Sequence, residues 1–204
     1  MMPVASTLHY LALGDSYTIG EAVDAHQRWP AELVERLRTA GVMIDDPRII
    51  ATTGWTTDEL AQGMDAASPT PVYDLVTLQI GVNNQYRGRA ADDYRDEFTS
   101  LLARAIMLAG GHAAHVVVVS IPDWGVTRFA REQARDRMRI AAELDTYNAI
   151  ARDETRRAGA HFVDITGISR AHPELVADDG LHPSAAQYAL WVEAIEPIVR
   201  AALH

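Results

Sequence analysis

The sequence predicts an α/β protein in three layers, an α/β/α sandwich in which helices cover both faces of a five-stranded parallel sheet. Two observations support this fold class. Short apolar runs alternate along the chain with longer amphipathic segments, and such alternation is typical of βαβ units. The apolar runs are also nearly continuous, which indicates strands that are buried on both faces, as in parallel sheets.

Five runs have the composition of buried strands, being rich in Val, Ile, Leu and other apolar residues. They cover residues 8–13, 48–51, 75–80, 115–121 and 161–165. Longer amphipathic segments lie between these runs, and parallel strands need such crossover connections.

Four segments carry apolar residues at helical spacing. Two stripes, from Trp29 to Ala40 and from Tyr94 to Ile106, predict helices between strands. A long charged helix is predicted over residues 129–158, with Met138, Ala141, Leu144 and Ile150 among its apolar positions. A final helix is predicted over residues 184–203, and Pro197 inside it favours a kink.

Composition restricts the classes of function. With 204 residues, of which 48% are hydrophobic, residues 1–204 are expected to form one domain with a sizeable core. A formal net charge of -10 argues against binding to nucleic acid or to an anionic membrane surface. The absence of Cys excludes disulfides, thiolate catalysis and Cys-ligated metals. The first residues resemble neither a signal peptide nor a membrane span, so we predict a cytoplasmic protein.

Polar motifs follow the carboxyl ends of the predicted strands, which is where ligands bind in open parallel sheets. The first four motifs are residues 14–17, 52–55, 81–84 and 122–125. A fifth, which contains Asp179 and His182, lies between the last strand and the final helix. The fold is expected to collect these motifs into one crevice.

Ser16, His182 and Asp179 have the chemistry of a nucleophile, a base and a residue that orients the base. A serine hydroxyl needs an imidazole to take its proton, and a carboxylate fixes the tautomer of that imidazole. The separation of three positions lets Asp179 and His182 project to one side of a turn. Taken one at a time, each motif also fits an ordinary turn, and only their occurrence together favours catalysis.

The motifs around Ser16, Gly54, Asn83 and Asp179/His182 occur in the order found in SGNH hydrolases, also called the GDSL esterase/lipase family. The chain resembles this family over essentially its whole length. The resemblance implies a flavodoxin-like sheet, the roles given above for the triad, and an oxyanion hole of the Ser16 amide, Gly54 and Asn83.

Two positions depart from the family pattern. Tyr17 stands where Leu is commonest, and Asn84 stands where an Asp often follows the Asn. We expect Tyr17 to change the packing beneath the nucleophile, and Asn84 to hold its loop by hydrogen bonds without a charge.

The resemblance implies a serine esterase that hydrolyses small carboxylic esters through an acyl-enzyme, with neither a cofactor nor a metal. Short acyl chains are favoured because the sequence has no long apolar lid; deacetylation of a carbohydrate and hydrolysis of a lysophospholipid or a thioester stay open. A substrate pocket is expected on the loops at the strand ends, from Trp55, Asn84, Gln85, Tyr86 and Trp124.

Two other classes of function compete with the esterase. A flavodoxin-like module would bind phosphate or flavin after the first strand, but Asp15 places a negative charge there. An inactive hydrolase used as a scaffold is disfavoured by the presence together of Ser16, Gly54, Asn83, Asp179 and His182.

Overall fold

The computed structural model describes residues 6–70 and 72–203 and contains the five predicted strands in one parallel sheet. The strands are β1 (Tyr10–Gly14), β2 (Arg48–Ala51), β3 (Leu75–Gln79), β4 (Val116–Val119) and β5 (His161–Val163). Their order across the sheet is β2-β1-β3-β4-β5, which is the flavodoxin-like order. The predicted fold class is therefore confirmed.

Helices cover both faces of the sheet. They are α1 (Ser16–Ile19), α2 (Trp29–Thr39), α3 (Thr57–Ala67), α4 (Val82–Tyr86), α5 (Ala91–Leu108), α6 (Arg128–Glu132), α7 (Arg137–Ala158), α8 (Thr166–Ala171) and α9 (Ala185–Ala202), with 3₁₀ turns at Ala25–Gln27, Ala113–His115 and Trp124–Val126. Helices α2 and α9 pack together on one face, and α3, α5 and α7 pack in sequence on the other.

The prediction of one long helix over residues 129–158 is wrong. The chain leaves the helical conformation after α6, Ala134 has a positive φ of 49°, and a new helix begins at Arg137. The Asp136 side chain accepts the N–H of Arg139 and caps this second helix. In α7 the predicted core position Met138 is 82% exposed, and Ile140 is buried instead.

Four further helices, α1, α3, α4 and α8, were not predicted from apolar spacing. Helix α3 has a signal of another kind, because Thr56 and Glu59 form a reciprocal capping box at its start. The final helix agrees with the prediction, and it continues past Pro197 to Ala202.

The core fixes the strand ends from which the site is built. Strands β1, β3 and β4 are buried along their whole length, and the largest buried side chains include Trp29 and Trp191. Strands β2 and β5 are only partly buried because they lie at the edges of the sheet, so the prediction of five buried strands is wrong for these two. In the described ranges, no helix is both long and apolar enough to cross a membrane.

Candidate active site

A cavity of about 240 Å³ lies at the carboxyl ends of the strands, where the sequence places its polar motifs. Its walls come from the segments that follow β1, β3, β4 and β5: Ser16, Tyr17, Val82, Asn83, Tyr86, Trp124, Phe129, Leu181 and His182. The fold thus brings Ser16, Asn83 and His182 to one cavity although they are far apart in the sequence.

Ser16 is placed by a sharp turn between β1 and α1. Gly14 ends the strand, and a Cβ there would lie only 2.1 Å from Thr18 Oγ1 and 2.6 Å from the Gln79 carbonyl oxygen. Asp15 caps α1 by accepting the N–H of Tyr17 at 3.1 Å. Ser16 is therefore the first residue of a helix, and it is 5% exposed.

The Asp15 carboxyl is buried directly beside Ser16. Burial raises its pKa to about 7, although the hydrogen bonds from backbone N–H groups act in the opposite direction. A carboxyl that is expected to be partly protonated at neutral pH therefore lies beneath the first turn of α1.

Asp179 and His182 are joined by a short hydrogen bond across the predicted turn. Nδ1 of His182 lies 2.6 Å from Oδ2 of Asp179, and Oδ1 accepts the N–H groups of Leu181 at 2.9 Å and of His182 at 3.0 Å. Partial burial opposes ionisation of Asp179, but these hydrogen bonds outweigh it and lower the pKa of the carboxyl. An ionised carboxylate only accepts hydrogen bonds, so Nδ1 must donate. In a neutral ring, Nε2 is then the basic nitrogen.

Helix α6 holds the turn that carries these two residues. The N–H of Phe129 donates to the Gly180 carbonyl at 2.9 Å, and the Arg128 guanidinium donates to the Asp178 carbonyl at 2.6 Å. Gly180 has a φ of +73°, and a Cβ on it would lie 2.5 Å from Arg128 Nε. The backbone conformation thus favours glycine, and a methyl group at this position would displace the Arg128 guanidinium.

Asn83 lines the cavity and is also tied to the loop after β2. Its Nδ2 donates to the Trp55 carbonyl at 2.9 Å. Because an amide nitrogen carries two hydrogens, a second donor remains for a ligand. Gly54, with a φ of +89°, lies in that loop, and Arg87 donates to its carbonyl at 2.7 Å. Gly54 is not among the residues that line the cavity.

Of the five residues predicted to form the substrate pocket, Tyr86 and Trp124 line the cavity and Trp55, Asn84 and Gln85 do not. Gln85 lies behind the wall and accepts the indole N–H of Trp124 at 2.8 Å. Asn84 is fully buried, and its side-chain oxygen accepts the N–H of Thr57, the first residue of α3, at 3.1 Å. It thus joins α4 to α3 by a hydrogen bond without a charge, as the sequence predicted. Trp55 packs against Gly63.

Tyr17, Val82 and Leu181 line the cavity although they were not predicted to do so. All three are next to predicted site residues in the sequence, and this adjacency is the one feature from which their place in the cavity could have been predicted. The Tyr17 ring is 3% exposed and makes edge contacts with the rings of His182, at 5.9 Å between centroids, and of Trp191, at 6.1 Å. Tyr17 therefore packs between the imidazole and the core.

Groups of three or more His, Asp or Glu residues that could hold a metal ion are not found within the part of the chain that the structure describes. The cavity thus combines a hydroxyl, an imidazole paired with a carboxylate, and amide donors. Such a set is suited to acyl transfer.

Comparison with known proteins finds a family model that matches most of the chain. The model of the GDSL-like lipase/acylhydrolase family matches residues 12–190. No curated protein matches the sequence significantly.

Solved structures share the fold at low identity. The psychrotrophic esterase EstA from Pseudoalteromonas sp. is 16% identical, with a TM-score of 0.72 and coverage of 96% of this chain and 98% of that chain. The lipase/acylhydrolase from Enterococcus faecalis is 19% identical, with a TM-score of 0.72 and 96% of each chain covered. The acetylxylan esterase Axe2 from Geobacillus stearothermophilus is 19% identical, with a TM-score of 0.71 and coverage of 97% and 96%. At these identities the likeness shows the fold.

Proposed function

Because the chain belongs to the GDSL-like lipase/acylhydrolase family and is thus a carboxylic ester hydrolase, we propose that it works through a triad of Ser16, His182 and Asp179. The observation that carries this proposal is the 2.6 Å hydrogen bond between His182 and Asp179 at the cavity that Ser16 lines. This bond directs the basic nitrogen of a neutral imidazole away from the carboxylate, where it is available to a hydroxyl.

In the first step, Oγ of Ser16 attacks the ester carbonyl while Nε2 of His182 takes the hydroxyl proton. The tetrahedral intermediate carries a negative charge on the former carbonyl oxygen. We assign its stabilisation to the Ser16 amide and the second N–H of Asn83, and, on the family resemblance alone, to the backbone N–H of Gly54, since fixed donors stabilise this charge better than mobile water. The alcohol then leaves with the proton from His182, and Ser16 is acylated.

In the second step, water replaces the alcohol. His182 takes a proton from the water, whose oxygen attacks the acyl carbon, and the bond to Ser16 Oγ breaks. Ser16 regains its proton from His182, and the carboxylic acid is released. His182 must be neutral at the start of both steps, so activity is expected to fall at acidic pH.

The size of the cavity supports a preference for small acyl groups. At about 240 Å³ it is smaller than the roughly 300–1,000 Å³ of pockets that hold drug-sized ligands. Trp124, Tyr86 and Phe129 supply aromatic walls. We therefore propose short-chain carboxylic esters as substrates.

The alternative of a phosphate- or flavin-binding module has less support. The Asp15 side chain accepts the N–H of Tyr17, where a phosphate would have to bind at the start of α1. Helix α1 also has only four residues.

The test is hydrolysis of p-nitrophenyl acetate, butyrate and octanoate by the wild type, Ser16→Ala and Ser100→Ala. Ser100 is an exposed serine on α5, so its variant controls for the loss of a hydroxyl. We expect Ser16→Ala to fall to background while Ser100→Ala keeps wild-type rates, with acetate and butyrate hydrolysed faster than octanoate. Wild-type rates in folded Ser16→Ala, checked by circular dichroism, would exclude the triad.

A second measurement identifies the nucleophile directly. An alkyl fluorophosphonate should add one phosphonyl group per chain, and peptide mass spectrometry should locate it on Ser16. A modified chain with the label on another residue, or equal labelling of Ser16→Ala, would assign the nucleophile elsewhere.

A further inference from the structure

Residues 128–139, here called the basic rim, carry a positive charge in an otherwise acidic chain. They contain five of the 18 basic residues and only two of the 28 acidic ones. The rim runs from α6 into the start of α7, and residues 131–139 are exposed. It adjoins the cavity, because Phe129 within it and Trp124 just before it both line the cavity wall.

Arg135 connects the basic rim to the aromatic wall. Its guanidinium carbon lies 5.2 Å from the ring centroid of Tyr86 and 5.6 Å from that of Trp124, within the range of cation–π contacts. The two rings meet edge to face at 5.4 Å. The cation is thus held beside the cavity by two of the residues that line it.

Tyr86 is shared between the cavity and a neighbouring open cleft of about 410 Å³. Arg135 lines the cleft, together with Arg87, Arg139 and Glu143. Tyr86 is 47% exposed, so it forms an edge over which a substrate can extend. A ligand that has its ester at Ser16 and crosses Tyr86 would reach Arg135.

Most charges in this cleft are already compensated. Arg87 pairs with Glu59 at 3.2 Å and Arg139 pairs with Glu143 at 2.7 Å. Two carboxylates oppose the charge of Arg135. Asp136 follows it in the sequence and caps α7. Glu143 is the other, and its pKa is lowered by the hydrogen bond from Arg139 and, in part, by the charge of Arg135. Within the described residues, however, Arg135 has no ion pair within 4.0 Å.

Two further cations of the basic rim are bonded to carbonyl groups, which do not neutralise them. Arg131 donates to the Val126 carbonyl and Arg137 donates to the Gly125 carbonyl. The rim therefore presents an excess of positive charge beside the cavity.

We propose that the basic rim selects small esters that bear an anionic group, with Arg135 binding the carboxylate or phosphate of the substrate. The cation–π contacts with Tyr86 and Trp124 hold the guanidinium beside the cavity, and an arginine can bind a carboxylate or phosphate in a bidentate manner. A local cation also attracts anions that the chain's net charge of -10 repels. This inference rests on the proposed function, since it places the ester at Ser16.

The experiment compares pairs of esters that differ in one charge. One pair is mono-4-nitrophenyl glutarate and 4-nitrophenyl pentanoate, which tests an anion on the acyl side. The other pair is 4-carboxyphenyl butyrate and 4-carbamoylphenyl butyrate, which tests the alcohol side. For each of the four esters, kcat/KM is measured with the wild type, Arg135→Gln, Arg135→Lys and Arg156→Gln, at low and high salt.

Arg156 supplies the matched control, because it is exposed, as Arg135 is, and lies on α7. It lies near the opposite end of that helix, about 30 Å from its start at 1.5 Å per residue. Arg156→Gln therefore removes the same charge from the chain without touching the cavity.

We expect the wild type to prefer the anionic ester in at least one pair, and Arg135→Gln to reduce that preference by about two- to fivefold, as for an exposed ion pair. Arg135→Lys should keep part of the preference, Arg156→Gln should keep all of it, and salt should weaken it. No preference in either pair, or a preference that Arg135→Gln leaves unchanged, would overturn the proposal.

Failure of this inference can be distinguished from failure of the triad. The neutral esters report on Ser16 alone. If Ser16→Ala abolishes hydrolysis of both members of a pair while Arg135→Gln leaves their ratio unchanged, the triad stands and the role of Arg135 falls.

Discussion

The carboxylate of Asp179 uses both of its oxygens within a single turn: Oδ2 bonds to the His182 ring, while Oδ1 bonds to the backbone N–H groups of Leu181 and His182. One side chain therefore shapes the turn and orients the imidazole. Since the two tasks fall to different oxygens, a substitution can separate them.

Asp179→Asn is expected to keep the turn and lose the orientation. The amide oxygen can still accept the two backbone N–H groups, but an amide nitrogen cannot accept the Nδ1 hydrogen of His182, so the wrong tautomer is favoured. We expect kcat to fall about 10⁴-fold, the scale of the same change in a serine protease. Steady-state kinetics with p-nitrophenyl butyrate checks this. Asp178→Asn removes the neighbouring exposed charge and should be near wild type; equal effects of both variants would argue against the pairing.

Asn83→Ala is expected to reduce kcat by about 100- to 1,000-fold with a smaller effect on KM, because it removes a donor whose bond strengthens in the transition state. Asn84→Ala is the matched variant. It leaves the buried N–H of Thr57 without its partner, at a cost of roughly 1–3 kcal/mol in the free energy of unfolding. Kinetics should thus detect the loss of Asn83, and urea denaturation should detect the loss of Asn84. An Asn83→Ala enzyme with wild-type kcat would contradict the oxyanion role.

Asp15→Asn is expected to change how stability depends on pH. The pKa of Asp15 is raised to about 7, above its value in the unfolded chain, so folding takes up a proton between about pH 4 and pH 7. The neutral carboxyl makes its full contribution to the free energy of unfolding below the pKa of Asp15 in the unfolded chain. That contribution is lost as the pH rises through the pKa of Asp15 in the folded protein. The full loss is on the order of 4 kcal/mol, from 1.36 kcal/mol per pKa unit.

The Asn variant keeps a capping oxygen and has no charge to bury. Its free energy of unfolding relative to the wild type should increase from pH 4 to pH 7 and then level off. Urea denaturation at several pH values measures this, with Asp178→Asn as a control that should follow the wild type. A constant difference across this range would mean that Asp15 is ionised in the folded protein.

Gly180→Ala is expected to weaken both stability and activity. A left-handed conformation costs an alanine about 1–2 kcal/mol, and the new methyl group would also displace the Arg128 guanidinium from the Asp178 carbonyl. Gly111→Ala isolates the first effect, since Gly111 has a φ of +85° and a Cβ on it would meet no atom within 4 Å. Both variants should therefore lower Tm, but only Gly180→Ala should lower kcat. Equal kcat values would show that the contact with α6 does not position His182.

The sequence predicted the bounds of an element most accurately where a single physical effect determines them. Strand β2 was predicted at its observed bounds, because a short apolar run between turns has few alternatives. The break between α6 and α7 was missed because residues 133–136 contain neither Gly nor Pro, and Ala134 adopts its positive φ under tertiary constraint. Asn84 ends the motif of residues 81–84 and Gln85 follows it, yet α4 turns both side chains away from the cavity. Neighbouring positions in a sequence do not reveal which way each side chain points.

The packing of Tyr17 against both His182 and Trp191 has a consequence for heat inactivation. The imidazole packs against a ring that is itself part of the hydrophobic core, so the turn at residues 179–182 does not move independently of the core. Loosening His182 requires disturbance of the interior beneath it, and the site is thereby coupled to the most stable cooperative unit of the protein. Loss of esterase activity on heating should then follow the same transition as loss of tertiary structure.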